Sequence, residues 1–179
     1  MADSTPPRMV DFALWYASRP WPVFLVNGKL PFRRSHGHLD ATTDPVELER
    51  RFAEHPYANL AVSCEKAGLC VLDADGPGGL AELEAMCAPH GGIPTTLQAR
   101  TARGRHFYFL APAGGMRGLN AKRPKGHDGL DVKARGGYVL LPPSIGNGGF
   151  VYHWRNALAP IALPAFLAAY IEAKRRTQR

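Results

Sequence analysis

Apolar positions along this chain come in short runs, broken by glycine, proline and charged residues. From Val10 to Arg19 the spacing predicts a helix, with Phe12, Ala13, Tyr16 and Ala17 on its apolar face. Trp21 to Val26 reads as a strand bracketed by Pro20 and the Asn27-Gly28 turn, followed by a polar loop from Lys29 to Thr43. Asp44 and Pro45 supply an N-cap and a first helical residue for a helix running to about His55. Leu60 to Val62 and Leu69 to Leu72 read as strands joined by a tight turn at Lys66-Ala67-Gly68. The stretch Asp73-Ala74-Asp75-Gly76-Pro77-Gly78-Gly79 reads as a loop, and Leu80 to Cys87 as a helix ended by Pro89 and Gly91-Gly92.

Beyond Gly92 the pattern shifts to hairpins. Leu97 to Thr101 and His106 to Ala111 predict a strand pair around Arg103-Gly104-Arg105. A long basic, glycine-containing loop from Ala113 to Gly129 separates it from a second expected pair, Leu130 to Lys133 and Tyr138 to Leu141, around Gly136-Gly137. Phe150 to Trp154 predicts another strand, and Leu163 to Arg176 a terminal amphipathic helix with a basic tail. The class is mixed α+β, and the length suits a single domain or two tightly fused lobes.

Charge changes the picture. Lys and Arg total 22 against 15 Asp and Glu, so the chain carries +7 at neutral pH. Such an excess suits a polyanionic partner or a plain solvated basic surface. The three cysteines, Cys64, Cys70 and Cys87, are too few and unpaired for a disulfide framework. Cys64 and Cys70 lack paired zinc-ligand spacing, and Cys87-Ala88-Pro89-His90 offers only one Cys-x-x-His, so buried free thiols are expected. No run approaches the roughly 18 apolar residues of a membrane span, and residues 1–8 lack a signal peptide's apolar core. A soluble cytoplasmic protein is the expectation.

Three motifs carry candidate chemistry. In Val71-Leu72-Asp73-Ala74-Asp75 an apolar strand delivers two carboxylates at positions i and i+2, which share a face of an extended chain. Together they suit one hard cation such as Mg²⁺ or Mn²⁺, and the same residues also suit an ordinary turn. Gly104-Arg105-His106 hands over to the aromatic run Phe107-Tyr108-Phe109, placing a histidine and an arginine where a triphosphate could be met. Asp131, Lys133 and Arg135 alternate along an expected strand, so they share a face. A carboxylate beside two cations suits a metal–triphosphate complex, or a cross-strand ion-pair ladder. Ser144, after Pro142-Pro143, is a candidate for the same cleft.

In this order the motifs resemble the primase-polymerase domain of the archaeo-eukaryotic primase superfamily. Asp73 and Asp75 match its strand-terminal Asp-x-Asp, Gly104-Arg105-His106 its small-x-His signature, and Leu130-Asp131 its apolar-Asp motif. The segment from Gly136-Gly137-Tyr138 to Pro142-Pro143-Ser144 looks like the family's closing strand, and Lys29-x-Pro31 with Ala41-Thr42 its N-terminal segment. The resemblance implies one catalytic core over residues 1–179, with an α/β lobe over about 1–90, RRM-like antiparallel strands over about 91–160, and a helix and tail over 161–179. The active site would lie in the cleft between the two fused lobes. It implies a DNA primase or polymerase that joins nucleoside triphosphates, as dNTP or NTP, on a DNA template–primer by two-metal transfer. Asp73, Asp75 and Asp131 would be catalytic and hold Mg²⁺ or Mn²⁺, with His106, Arg105, Lys133, Arg135, Ser144 and Lys29 near the triphosphate. Relatives also continue into a helical accessory domain and a helicase, which are the further partners it implies.

Arg117, Lys122, Arg123 and Lys125 form a candidate clamp for template phosphates, or a solvated basic loop, while Lys174, Arg175, Arg176 and Arg179 read as a solvated end. Two other readings compete with an enzyme of this family. An Asp-x-Asp glycosyltransferase would use the first motif and leave the other two unexplained. A non-catalytic DNA-binding replication module would use basic charge and exposed aromatics such as Tyr108 and Tyr138, and leave three acids facing phosphate.

Overall fold

A computed structural model describes residues 6–120 and 129–177. Among the described residues four helices surround two sheets. The helices are α1 (Met9–Ala17), α2 (Pro45–Glu54), α3 (Gly76–Cys87) and α4 (Ala165–Thr177). The strands are β1 (Val23–Asn27), β2 (Leu30–Pro31), β3 (Asn59–Ser63), β4 (Leu69–Asp75), β5 (Leu97–Arg100), β6 (Gly104–Leu110), β7 (Gly129–Lys133), β8 (Tyr138–Leu140), β9 (His153–Trp154) and β10 (Ile161–Ala162). The smaller sheet runs β2-β1-β3-β8 and the larger β7-β4-β6-β5-β9. Every pair is antiparallel except β10, which lies parallel along the end of β6. Within the larger sheet, α3 connects β4 to β5 while β6 lies between them, the order of a split β-α-β unit.

Local chemistry sets the helix starts. The Asp44 carboxylate accepts from the Val46 amide at 3.0 Å, and Pro45 needs no amide partner at the first helical position. At α1 the Asp11 carboxylate reaches back to the Arg8 amide at 2.7 Å. The Gly76–Gly79 stretch, expected as loop, is instead the first turn of α3. Gly76 takes φ +66, Pro77 supplies a pre-set φ, and a Cβ on Gly79 would collide with the Gly129 carbonyl of β7. The helix therefore starts directly from Asp75 and sits hard against the sheet.

Further expected features are corrected. β7 and β8 do not pair with each other: β7 joins β4, and β8 joins β3 in the other sheet. The Gly136 turn, at φ +74, carries the chain across, as does the turn between β3 and β4. The crossings are laced together, Cys64 N donating to Gly137 O and Gly136 N to the Glu65 carboxylate, each at 3.1 Å. Sheet membership thus cuts across the chain halves, since β4 lies with β5–β7 and β8 with β1–β3. The expected strand from Phe150 shrinks to His153–Trp154, because Asn147–Gly149 turns with Gly148 at φ +68. The Lys29–Thr43 loop also contains β2 and a 3-10 turn at Gly37–Asp40. Lys122, Arg123, Lys125 and Arg179 lie outside the described residues.

The larger sheet is covered on both faces. On one, Val71, Leu97, Ala99 and Tyr108 join Leu60, Val62, Tyr16, Leu48 and Phe52 in a core shared with the smaller sheet, α1 and α2. On the other, Cys70, Leu72, Ala74, Phe107, Phe109, Leu130 and Val132 pack beneath Leu83 of α3 and Leu167 and Ile171 of α4. Each large apolar side chain so buried contributes about 1.5–3 kcal/mol before entropy is counted. All three cysteines are buried free thiols, as expected. Among the described residues no helix is long and apolar enough to cross a membrane.

Candidate active site

The strand register assembles the site. Asp73 of β4 lies directly opposite His106 of β6 on one side and Asp131 of β7 on the other. Directly opposed residues of an antiparallel pair share a face, with Cβ atoms about 5 Å apart. Asp131, Asp73 and His106 therefore form one row across three strands. Asp75, two residues on, faces the same way and is flanked by Gly104 and Gly129. Lys133 shares this face one step back, opposite Val71. The glycine beside Asp75 is dictated by packing, because a Cβ on Gly104 would collide with the Ala74 carbonyl oxygen. Gly104→Ala is expected to destabilise the fold by about 1–3 kcal/mol, read as a lower denaturant midpoint. An unchanged midpoint would show that β6 can shift freely at this position.

Cationic neighbours hold the acids. His106 Nε2 lies 3.4 Å from Asp73 Oδ1, and its Nδ1 lies 3.3 Å from the Tyr108 hydroxyl. The ring donates from Nε2 to Asp73, and Nδ1 shares a hydrogen bond with the Tyr108 hydroxyl, as acceptor in the neutral ring and as donor in the imidazolium. Lys133 Nζ donates to Asp131 Oδ2 at 3.1 Å and to Asn120 Oδ1 at 2.9 Å. The Tyr152 ring stands edge-on to His106 at 5.8 Å.

The two aspartates of β4 titrate in opposite directions. Burial works to raise Asp73, but the His106 charge and hydrogen bond, with Lys133 and Lys29 behind them, outweigh it and hold the carboxyl below its ordinary value. Asp75 is raised, first by burial and then by the Asp73 charge, against the weaker pull of Arg103, Lys29 and His106. Folded Asp75 thus keeps its proton at a pH where the unfolded chain has released it, so stability falls as pH climbs from the usual carboxylate value into the raised range. Asp75→Asn is expected to raise the thermal midpoint of the metal-free protein at pH 7. The gain should shrink towards zero below about pH 4, where the parent residue is protonated in both states. A midpoint at pH 7 equal to or below the parent's would contradict that assignment.

The structure gathers some sequence-predicted residues and disperses others. Asp73, Asp75, Asp131, His106 and Lys133 share one face of the larger sheet, and the Lys29 charge acts on both aspartates of β4 from the β1–β2 turn. Arg105 lies opposite Ala74 and so faces away from His106. Arg135 leaves β7 for Glu65, 3.4 Å away. Ser144 is buried, accepting from Leu60 N at 2.9 Å and donating to Leu60 O at 3.0 Å, so its hydroxyl is spent on main chain. Tyr108, expected as an exposed aromatic, is instead fully buried with its hydroxyl at His106, and the places of Tyr152 and Arg103 were not foreseen. Period-two alternation from His106 was the available signal for Tyr108, whereas Tyr152 and Arg103 arrive through register and turn geometry.

The oxygen donors of Asp73, Asp75 and Asp131 have the chemistry that Mg²⁺ or Mn²⁺ prefers, and the raised Asp75 beside Asp73 is a pair that a cation would relieve. Among the described residues no three His, Cys, Asp or Glu side chains converge into a ready cation cage. Asp73 and Asp131 are turned instead to His106 and Lys133.

Residues 13–166 match the family described as bifunctional DNA primase/polymerase, N-terminal. The match spans most of the 179 residues, and the chain belongs to this primase-polymerase family, whose general activity is DNA priming and polymerisation. No curated protein matches the chain.

Proposed function

We propose that this chain is a template-directed nucleotidyltransferase that extends or initiates a nucleic-acid chain on DNA from nucleoside triphosphates. The observation that carries this reading is the cross-strand row, with Asp73 set directly between Asp131 and His106. Asp73, Asp75 and Asp131 would hold the divalent cations, Mg²⁺ or Mn²⁺, of a two-metal transfer on the RRM-like sheet. When bound, these cations lower the pKa of the attacking hydroxyl and neutralise charge on the departing pyrophosphate. The hydroxyl oxygen of the growing end bonds to the α-phosphorus, the bond to the bridging oxygen breaks, pyrophosphate leaves and the hydroxyl proton passes to solvent. His106, Lys133 and Lys29 offer positive charge to the triphosphate, and Tyr108 keeps the His106 ring oriented.

Membership of the family displaces the glycosyltransferase reading. A non-catalytic DNA-binding module leaves the row of acids opposing phosphate without a role. The test is extension of a labelled primer on a DNA template, with dNTP or NTP, in Mg²⁺, Mn²⁺ or chelator. Extension that requires a divalent cation is expected. A folded protein that neither extends the primer nor binds nucleoside triphosphate in either metal would overturn the proposal.

A further inference from the structure

The face of the larger sheet that turns away from the acidic row carries a second feature, which the proposed reaction does not use. Arg100 of β5 lies directly opposite Arg105 of β6 and also opposite His153 of β9. Arg155, just beyond β9, is fixed beside them by its backbone N–H, which donates to Gln98 O at 2.9 Å. Like charges set directly opposite one another oppose strand pairing. Among the described residues Arg100, Arg105 and Arg155 make no ion pair, whereas Arg50, Arg51 and Arg175 each hold a carboxylate. Partial burial, then Arg155 and Arg100, hold the Arg105 guanidinium below its usual range, and Glu84 of α3 opposes this only weakly.

The cluster continues to the active site. Arg103 sits on the tight turn between β5 and β6, next to Gly104, which pairs with Asp75 at the end of the acidic row. The turn is held by Thr101 Oγ1, which accepts from Gly104 N at 2.9 Å, and by Arg103 O, which accepts from Gly76 N at 3.1 Å. Positive charge therefore runs from the end of the acidic row, over this turn, to Arg105, Arg100 and Arg155 behind the sheet. Arg100, Arg105 and Arg155, which form no ion pair among the described residues, complement a repeating phosphate backbone, and arginine binds phosphate in a fixed fork.

We propose that the phosphate backbone of the nucleic-acid chain engaged at the acidic row passes over the Thr101–Arg103 turn and docks on Arg105, Arg100 and Arg155 on the reverse face. This rests on the function proposed above. The test compares the parent with Arg100→Gln/Arg155→Gln and with an equally charged control, Arg33→Gln/Arg176→Gln. Binding of a fluorescent single-stranded oligonucleotide is measured across a salt series, alongside the KM for triphosphate in primer extension. The patch variant is expected to bind about tenfold more weakly near 0.1 M salt, with its salt slope reduced by about 1.4, at roughly 0.7 per lost contact. Its KM for triphosphate should match the parent's, and the control should bind as the parent does.

Equal affinity and slope in parent and patch variant, or an equal loss in the control, would overturn the proposal. So would competition by polyglutamate as effective as by oligonucleotide, which would mark a general polyanion surface. Primer extension by the parent keeps these outcomes separate from failure of the enzymatic reading. If the parent extends primers and the patch variant binds normally, only the docking surface is lost.

Discussion

Asp73→Asn is expected to lower nucleotide incorporation by at least about 100-fold while the protein stays folded. Asp73 is the middle member of the row, touching His106 at 3.4 Å and standing opposite Asp131. Asparagine keeps the shape and one acceptor oxygen but removes the charge that would hold a cation and attract His106. The change should also cost some stability. The carboxyl of Asp73 is held below its ordinary value, so its charged form favours the native state above the unfolded-chain value near 3.8, and that contribution is lost as pH falls through the depressed value. The thermal midpoint of Asp73→Asn should therefore lie below the parent's at pH 7 and converge with it in strong acid. Circular dichroism at pH 7 would confirm the fold, and Glu82→Gln, at the α3–α4 ion pair away from the row, should retain activity. Incorporation at the parental rate by folded Asp73→Asn would remove the carboxylate row from the mechanism.

What the sequence made legible is what depends on neighbours along the chain. Alternation put Asp73 and Asp75 on one face, Asp44-Pro45 started α2 where the structure starts it, and the Arg103-Gly104-Arg105 turn predicted the β5–β6 hairpin. Alternation also places Arg105 on the face opposite His106, so grouping the two in one pocket ran against the period of the strand. Pairing between distant segments was not legible. Asp131 reaches Asp73 only because β7 pairs with β4, and the glycines at 136 and 137, which suggest a hairpin, instead carry the chain into the other sheet. The Gly76–Gly79 helical turn was hidden for a similar reason. Three glycines and a proline oppose helix by propensity, yet the missing Cβ of Gly79 is what lets α3 approach Gly129. Ser144 was misplaced because the Leu60 backbone that claims its hydroxyl lies 84 positions away.

The rigidity of the row rests on the apolar layer beneath it, and Phe107→Ala tests that layer. Phe107 lies next to His106 on β6 but points the other way, where it is 1% exposed among Leu72, Phe109 and the side chains of α3 and α4. Truncating a buried phenylalanine costs about 3–5 kcal/mol, combining lost transfer energy with the cavity left behind. Total stability of a domain is on the order of 5–15 kcal/mol, so the loss is a large fraction of it. For a chain of this length the thermal midpoint should fall by roughly 10 °C, and the denaturant midpoint should fall with little change in slope. Val46→Ala, on the exposed side of α2, should change stability by no more than about 0.5 kcal/mol. The comparison with Asp73→Asn separates scaffold from chemistry. Phe107→Ala should incorporate nucleotide well below its own midpoint, because every member of the row is still present, whereas Asp73→Asn should fail at any temperature. If Phe107→Ala melts with the parent, the layer beneath β6 is not the support on which the positions of His106 and Asp73 depend.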